Sequence, residues 1–253
     1  MKKSPIICCF LAISLLSIFI SCKKENKMTT TPVIDSLTIG LIAYYPFNNS
    51  ANDSTIYANN GTAFNLTSIP DRHGKANAAY HFDGSTSYIE VPDYNNILTL
   101  GGISFTLNAW VKLDSYNDSY ATAIMSKRGD VDDGAWAWFI TGEATSPTGV
   151  VFFDLDDSNP PAVGITVVGL NSWHMVTSEY DFTTKKISIY IDGTLDKSLS
   201  IGSPLIALNH PLYIGKDNED FQEPSYFFQG AIDDIRIYNR KLSIDDIHKL
   251  LID

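Results

Sequence analysis

Oxygen-bearing side chains crowd one loop of the sequence, between positions 48 and 61. In order they are Asn48, Asn49, Ser50, Asn52, Asp53, Ser54, Thr55, Asn59 and Asn60, followed by the turn glycine Gly61. Calcium takes about six to eight oxygen ligands from carboxylates, amides and carbonyls, so a loop of this composition is a candidate ion site. The alternative is a solvated turn, because Asn and Asp side chains readily bond their own backbone.

Two carboxylates lie close together further along the chain, at Asp154 and Asp156. Residues two apart on a strand point to the same face, so both carboxylates can reach the hydroxyl groups of one ligand. A pair of carboxylates is also the usual machinery of glycoside hydrolysis. The alternative is that they are outward-facing polar positions of an ordinary strand.

Four aromatic residues flank the acidic, glycine-containing stretch 127–134, namely Tyr116, Tyr120, Trp136 and Trp138. Sugar recognition combines aromatic rings, which cover the apolar face of a sugar, with carboxylates or amides for its hydroxyls. Trp136 and Trp138 share one face of a predicted strand. We expect Trp138 in the core, and for Trp136 both core and ligand contact stay open. The candidate ligand-binding residues are therefore Tyr116, Tyr120, Trp136, Asp154 and Asp156.

Other catalytic signals are missing from the sequence. There is no Gly-x-Ser-x-Gly elbow, phosphate-binding loop or His-Glu-x-x-His segment, and the five histidines are scattered. The net charge of -11 becomes -13 without residues 1–21, which carry Lys2 and Lys3 but no acid. Such a charge disfavours nucleic acid and anionic lipid surfaces as partners.

Short strands must position these candidates. From Leu41 onward, brief alternating or apolar runs are punctuated by Gly, Asn, Asp and Pro, which predicts about a dozen strands. Asp83-Gly84 and Asp192-Gly193 lie between such runs and predict tight hairpin turns, because Gly accepts positive φ. A chain of 253 residues with 44% hydrophobic residues can bury one full sandwich core.

The C-terminal stretch 226–251 predicts a long strand and a short helix. Ile232, Ile235 and Ile237 suit one buried face of the strand. Ser243 stands three residues before Asp246, which resembles a capping box at the start of the helix.

The N-terminus predicts export. A charged Met1-Lys2-Lys3 precedes an apolar run, as in a secretory signal, and the segment ending in Cys22 resembles a bacterial lipoprotein box. We expect a signal peptide at 1–21, lipidation of Cys22, a flexible tether at 22–39 and a folded domain at 40–253. Ordinary secretion and an uncleaved anchor are the alternatives. Cys22 is the only cysteine after the signal, so no disulfide framework is available.

Several motifs in the expected order resemble one family. They are Tyr44-Tyr45-Pro46-Phe47, Ala79-Tyr80-His81-Phe82-Asp83-Gly84, Ser104-Phe105-Thr106-Leu107, Trp173-His174-Met175-Val176, Ile189-Tyr190-Ile191-Asp192-Gly193 and Gly230-Ala231-Ile232-Asp233-Asp234-Ile235-Arg236-Ile237-Tyr238. Together they resemble laminin-G-like jelly-roll domains of the concanavalin A-like lectin and glucanase superfamily, over roughly residues 40–251. The resemblance implies an all-β fold of two antiparallel sheets with a short C-terminal helix.

The resemblance also implies roles for particular residues. In related domains the first and last strands are neighbours, and the loop 48–61 meets the Ile-Asp-Asp segment around a structural calcium. The implied ligands are Asp53 and Asp234, with Asn48, Asn59 and Gly61. Some glycanases of the superfamily carry Glu-x-Asp-x-x-Glu on one strand, and the segment Phe153–Asp157 lacks both glutamates.

We therefore expect a non-catalytic binding module in the cell envelope, held at the outer membrane by a lipid anchor, with a glycan or polysaccharide as its ligand. One alternative is a glycan-active hydrolase that uses Asp154 and Asp156. The other is a surface or scaffold module that binds an envelope protein. No nucleic-acid partner is expected.

Overall fold

A computed structural model of the chain describes residues 35–253 except 118, 130–135, 156–158, 203–207 and 218–225. The predicted signal peptide, Cys22 and Asp156 lie outside the described residues. Within the described part, no helix has the length and hydrophobicity needed to cross a membrane.

The described residues form fifteen strands, a single turn of 3-10 helix at Ser36–Thr38 and one α-helix, α1 (Ile244–Ile252). The strands are β1 (Leu41–Tyr45), β2 (Thr62–Phe64), β3 (Thr67–Ile69), β4 (Ala79–Asp83), β5 (Tyr88–Val91), β6 (Phe105–Leu113), β7 (Ala121–Lys127), β8 (Trp136–Thr141), β9 (Val150–Asp154), β10 (Ala162–Val167), β11 (His174–Asp181), β12 (Lys186–Ile191), β13 (Thr194–Ser200), β14 (Leu212–Ile214) and β15 (Gln229–Tyr238).

These strands pair antiparallel in two sheets. Sheet A has the order β13-β12-β11-β6-β15-β4-β3, and β1 pairs with β15 as well. Sheet B has the order β10-β9-β8-β7-β14-β5-β2. The predicted two-sheet jelly roll is confirmed, and so is the pairing of the first strand with the last.

The main core lies between the two sheets. Phe105 and Ile235 of sheet A belong to the same buried cluster as Trp138 and Phe153 of sheet B. The rings of Phe105 and Phe153 meet edge-on with their centroids 6.1 Å apart. Their contact shows that the inner faces of the two sheets pack directly on each other.

A β-bulge in β15 explains its sequence pattern. The register with β6 shifts between Asp233 and Arg236, and Asp234 has a positive φ of 47°. A bulge places one extra residue on its strand, so the side-chain alternation is reset. As a result Ile232 and Ile235 both reach the main core although two polar residues separate them.

Helix α1 covers part of the other face of sheet A. Ile247 and Leu250 pack on a separate buried cluster with Trp110 and Met175. The hydroxyl of Ser243 accepts the N–H of Asp246 at 3.1 Å, so the predicted helix cap is confirmed.

The two predicted Asp-Gly turns have different outcomes. Asp192 and Gly193 have positive φ and join the paired strands β12 and β13, which confirms that hairpin. The hairpin at Asp83-Gly84 is wrong, because β4 belongs to sheet A and β5 to sheet B. The carboxylate of Asp83 instead accepts three backbone N–H groups of residues 85–87 and organises a crossing between the sheets.

Candidate functional site

Sheet B has a second aromatic face, which we call its outward face. On β8 and β9, Trp138 and Phe153 point into the main core. Phe139 and Phe152 are their neighbours in sequence and form a different cluster. Because successive side chains of a strand point to opposite faces, Phe139 and Phe152 lie on the side away from the core.

Four rings on this face form the Tyr120 group, which comprises Tyr120, Phe139, Phe152 and Tyr226. Tyr120 contacts Phe152 at a centroid distance of 5.8 Å and Tyr226 at 6.1 Å. Phe139 contacts Phe152 at 5.7 Å and Tyr226 at 5.8 Å, which closes the set. Phe139 and Phe152 are buried, whereas Tyr120 is 43% exposed. Tyr120 therefore offers aromatic surface on a rigid base.

An ion pair lies beside the Tyr120 group. The guanidinium of Arg128 is 2.9 Å from a carboxylate oxygen of Asp154 and lies 5.5 Å from the ring centroid of Phe139. Burial raises the pKa of Tyr120 and the charge of Asp154 raises it further, while Arg128 opposes them. Tyr120 consequently keeps its phenol proton at neutral pH and can donate a hydrogen bond.

A second set of rings lies on the same face, and we call it the Tyr88 group. Tyr88 stacks on Phe64 at 4.5 Å and contacts Tyr213 at 6.3 Å and Phe227 at 6.4 Å. The amino group of Lys216 is 4.9 Å from the centroid of Tyr88. All four rings are partly exposed.

The sequence did not predict the Tyr88 group. Its members come from β2, β5, β14 and the segment just before β15, so no local spacing connects them. The sequence signal that could have placed Tyr88 on the outward face is the alternation in β5. Ile89 and Val91 enter the core, and Tyr88 and Glu90 alternate with them.

The predicted ligand-binding residues fall in three places. Tyr120 and Asp154 lie together on the outward face. Tyr116 packs against the main core, and its hydroxyl donates to the carbonyl of Val168 at 2.9 Å. Trp136 is 2% exposed within the main core, so its prediction as a ligand contact is corrected. Both faces of β8 carry aromatic residues, so residue type did not distinguish them.

Three of the predicted calcium ligands organise the loop 48–61. The carboxylate of Asp53 accepts the N–H groups of Tyr44, Thr55 and Asn59 at 2.9 to 3.0 Å. The N–H of Gly61 donates to the carbonyl of Ala51 at 2.9 Å. These bonds tie the loop to β1 and to itself.

The other two predicted ligands, Asn48 and Asp234, line a different pocket. Asp234 accepts the hydroxyl of Tyr44 at 2.6 Å and is paired with Arg72, and the side chain of Asn48 accepts a hydrogen bond from Lys75. The five predicted ligands are thus divided between two places. Across the described ranges, no three His, Cys, Asp or Glu side chains are grouped to hold a metal. Structural calcium stays a prediction.

The pocket that contains Asp234 is strongly polar. Arg72 lies 3.1 Å from Asp233 and also 4.6 Å from the ring centroid of Trp110. Burial and the neighbouring charge of Asp234 raise the pKa of Asp233 to about 7, although Arg72 opposes them. The bulge of β15 therefore sits on a buried network of charges.

Comparison with known proteins identifies the family. The sequence profile of the concanavalin A-like lectin/glucanases superfamily matches residues 83–248. The chain belongs to this superfamily. No curated protein sequence matches the chain.

Solved structures with this superfamily fold differ in what they bind. Domain 4 of AbnA, a GH43 extracellular arabinanase from Geobacillus stearothermophilus in complex with arabinotriose, has a TM-score of 0.63 and 20% identity, over 83% of this chain and 98% of that chain. Botulinum neurotoxin type C, whose cell entry depends upon interaction with two ganglioside molecules, has a TM-score of 0.64 and 15% identity over 84% of this chain. The binding domain of botulinum neurotoxin DC in complex with rat synaptotagmin II has a TM-score of 0.64 and 15% identity over 86% of this chain.

The chain spans about half of each neurotoxin structure, 51% and 52% respectively. At these identities the likeness shows the fold alone. Fold membership does not fix a function, so the function of this chain must be argued from the surfaces described above.

Proposed function

We propose that this member of the concanavalin A-like superfamily is a non-catalytic glycan-binding module whose ligand lies on the outward face of sheet B. The observation that carries the proposal is the Tyr120 group with the adjacent Arg128–Asp154 pair. An exposed ring held by buried rings suits the apolar face of a sugar, and neighbouring charged groups suit its hydroxyls. The arabinotriose bound by the similar arabinanase domain supports a sugar as the kind of ligand.

The test is a binding screen of the full chain on a glycan array and on insoluble polysaccharides, with calcium and again with chelator. For a glycan bound on the outward face, we expect Tyr120→Ala to weaken binding about tenfold, which corresponds to about 1.4 kcal/mol and is typical of one aromatic contact. The matched control is Leu195→Ala on β13 of sheet A, because Leu195 is 54% exposed and on the other sheet.

The outcomes separate the alternatives. If wild type and Tyr120→Ala bind a glycan equally well, that glycan does not bind on the outward face. No binding to any glycan would reject the glycan proposal and favour a protein partner, the second candidate. The neurotoxin domain bound to synaptotagmin II supports that candidate.

We also propose that the module is a lipoprotein of the cell envelope, tethered through Cys22 at the outer membrane. The sequence of the N-terminal segment supports this proposal. Radiolabelled palmitate should enter the wild-type protein in the native host, and Cys22→Ser should abolish labelling. Equal labelling of the two proteins would exclude Cys22 as the lipidated residue.

A further inference from the structure

A second pocket lies between the loops that contain residues 57–60 and 92–95. Neither loop belongs to the outward face of sheet B. We call this pocket the loop pocket. It encloses about 260 Å³ and is lined by Tyr57, Ala58, Asn59, Asn60, Pro92, Tyr94 and Asn95. Pockets for small ligands usually measure about 300 to 1,000 Å³, so this pocket lies just below that range and suits a small ligand group, such as one residue of a saccharide.

Both loops of the pocket are held by buried carboxylates. Asp53 accepts N–H groups within the first loop. In the second loop, Asp93 accepts the N–H of Leu98 at 3.2 Å and the hydroxyl of Thr99 at 3.1 Å. Asp93 also forms a fully buried ion pair with Lys127 at 3.0 Å. The pocket is therefore largely preorganised, which lowers the entropic cost of binding a ligand.

Two tyrosines line the pocket, and both are exposed to solvent to different extents. Tyr94 is 91% exposed and Tyr57 is 38% exposed. Neither ring makes an aromatic contact with another described residue. A tyrosine supplies a large, rigid contact surface and loses little side-chain entropy when a ligand covers it.

Amide groups supply the polar side of the pocket. The side-chain oxygen of Asn60 accepts the N–H of Asp53 at 3.0 Å, and the amide nitrogen of Asn60 has no hydrogen-bond partner among the described residues. Asn95 donates one amide hydrogen to Asn59 at 3.3 Å, which leaves its second amide hydrogen for a ligand.

None of the seven lining residues is charged. A charged ligand would lose its hydration without gaining an opposite charge. We propose that the loop pocket binds a neutral saccharide, whose ring lies against Tyr94 and Tyr57 and whose hydroxyls accept hydrogen bonds from Asn60 and Asn95. This site shares no residue with the outward face of sheet B and does not depend on binding there.

The test follows the side-chain amide signals of Asn60 and Asn95 by NMR in the full chain. The probes are arabinotriose, cellotriose, xylotriose, mannotriose and maltotriose. We expect at least one trisaccharide to shift both amide signals. Tyr94→Ala should weaken that binding about tenfold, while Tyr94→Phe, which keeps the ring, should change it less than threefold.

The control is Tyr120→Ala on the outward face, which should leave the shifts at Asn60 and Asn95 unchanged. The proposal is overturned if no trisaccharide shifts the two amide signals, or if the shifts persist with the same affinity in Tyr94→Ala. A ligand that shifts these signals normally in Tyr120→Ala but not in Tyr94→Ala supports the loop pocket. That result would support the loop pocket whether or not a glycan also binds on the outward face of sheet B.

Discussion

The substitution Glu179→Gln should change how the stability of the protein depends on pH. Glu179 lies on β11 and is 1% exposed. One of its carboxylate oxygens accepts the N–H of Leu242 at 3.1 Å and the hydroxyl of Thr106 at 3.4 Å. The other oxygen is buried without a partner among the described residues. Burial raises the pKa of Glu179 from 4.5 to about 7, although Lys241, the side chain of Tyr190 and the bonds from Leu242 and Thr106 oppose the rise.

The raised pKa of Glu179 sets the direction and the size of the change in stability with pH. Between about pH 4.5 and pH 7, the folded protein holds a proton that the unfolded chain has released, so stability falls as pH rises through this window. At about 1.4 kcal/mol per pKa unit, the loss is on the order of 3 kcal/mol and is complete above pH 7. Glutamine is neutral at every pH and has nearly the shape of a protonated glutamate. The variant should therefore match wild type near pH 4 and exceed it by up to about 3 kcal/mol at pH 8.

The assay is urea unfolding of both proteins at intervals from pH 4 to pH 8, read as the difference in free energy of unfolding. Asp233, whose pKa is also raised to about 7, contributes equally to both curves and cancels in the difference. Glu143→Gln, at an exposed glutamate, controls for the loss of one negative charge. A difference between wild type and Glu179→Gln that stays constant across this range would refute the reasoning.

Asp154→Asn tests the hydrolase alternative: if the protein only binds glycans, neither wild type nor variant releases products from polysaccharides, and release that the substitution abolishes would show an enzyme. Calcium, if it is structural, should raise the thermal midpoint relative to chelator, and identical midpoints would reject it. Gly61→Ala would place a methyl group against the side chain of Ile89 and should cost about 1 to 3 kcal/mol in urea unfolding, so an unchanged midpoint would contradict that packing. Ser243→Ala removes the cap of α1 and should cost about 1 kcal/mol, measured by the same method; a loss near zero would show that the cap is dispensable.

Local signals in the sequence predicted the parts of the fold that neighbouring residues determine. Alternation along β15 indicated a strand with one buried face, and the spacing of Ser243 and Asp246 predicted the cap of α1. Asp192-Gly193 predicted a hairpin because Gly accepts the positive φ that a tight turn demands, and both residues have positive φ in the structure. The composition of the loop 48–61 showed that many polar groups lie close together in the sequence. Only the structure shows which of them form hydrogen bonds, such as those that Asp53 accepts.

Tertiary structure decided which chemical groups meet. Asp83-Gly84 is the same dipeptide as Asp192-Gly193, but it connects a strand of sheet A to a strand of sheet B. The residues of a turn do not determine which sheet the next strand joins. Trp136 faces the core and Phe139 the outward face, and the sequence of β8 is apolar on both sides. The Tyr88 group assembles from distant segments, whose pairing is set by long-range packing of two sheets. Period-two alternation therefore reveals that two faces exist, and only the packing of one sheet on the other decides which face is buried in the core and which points away from it.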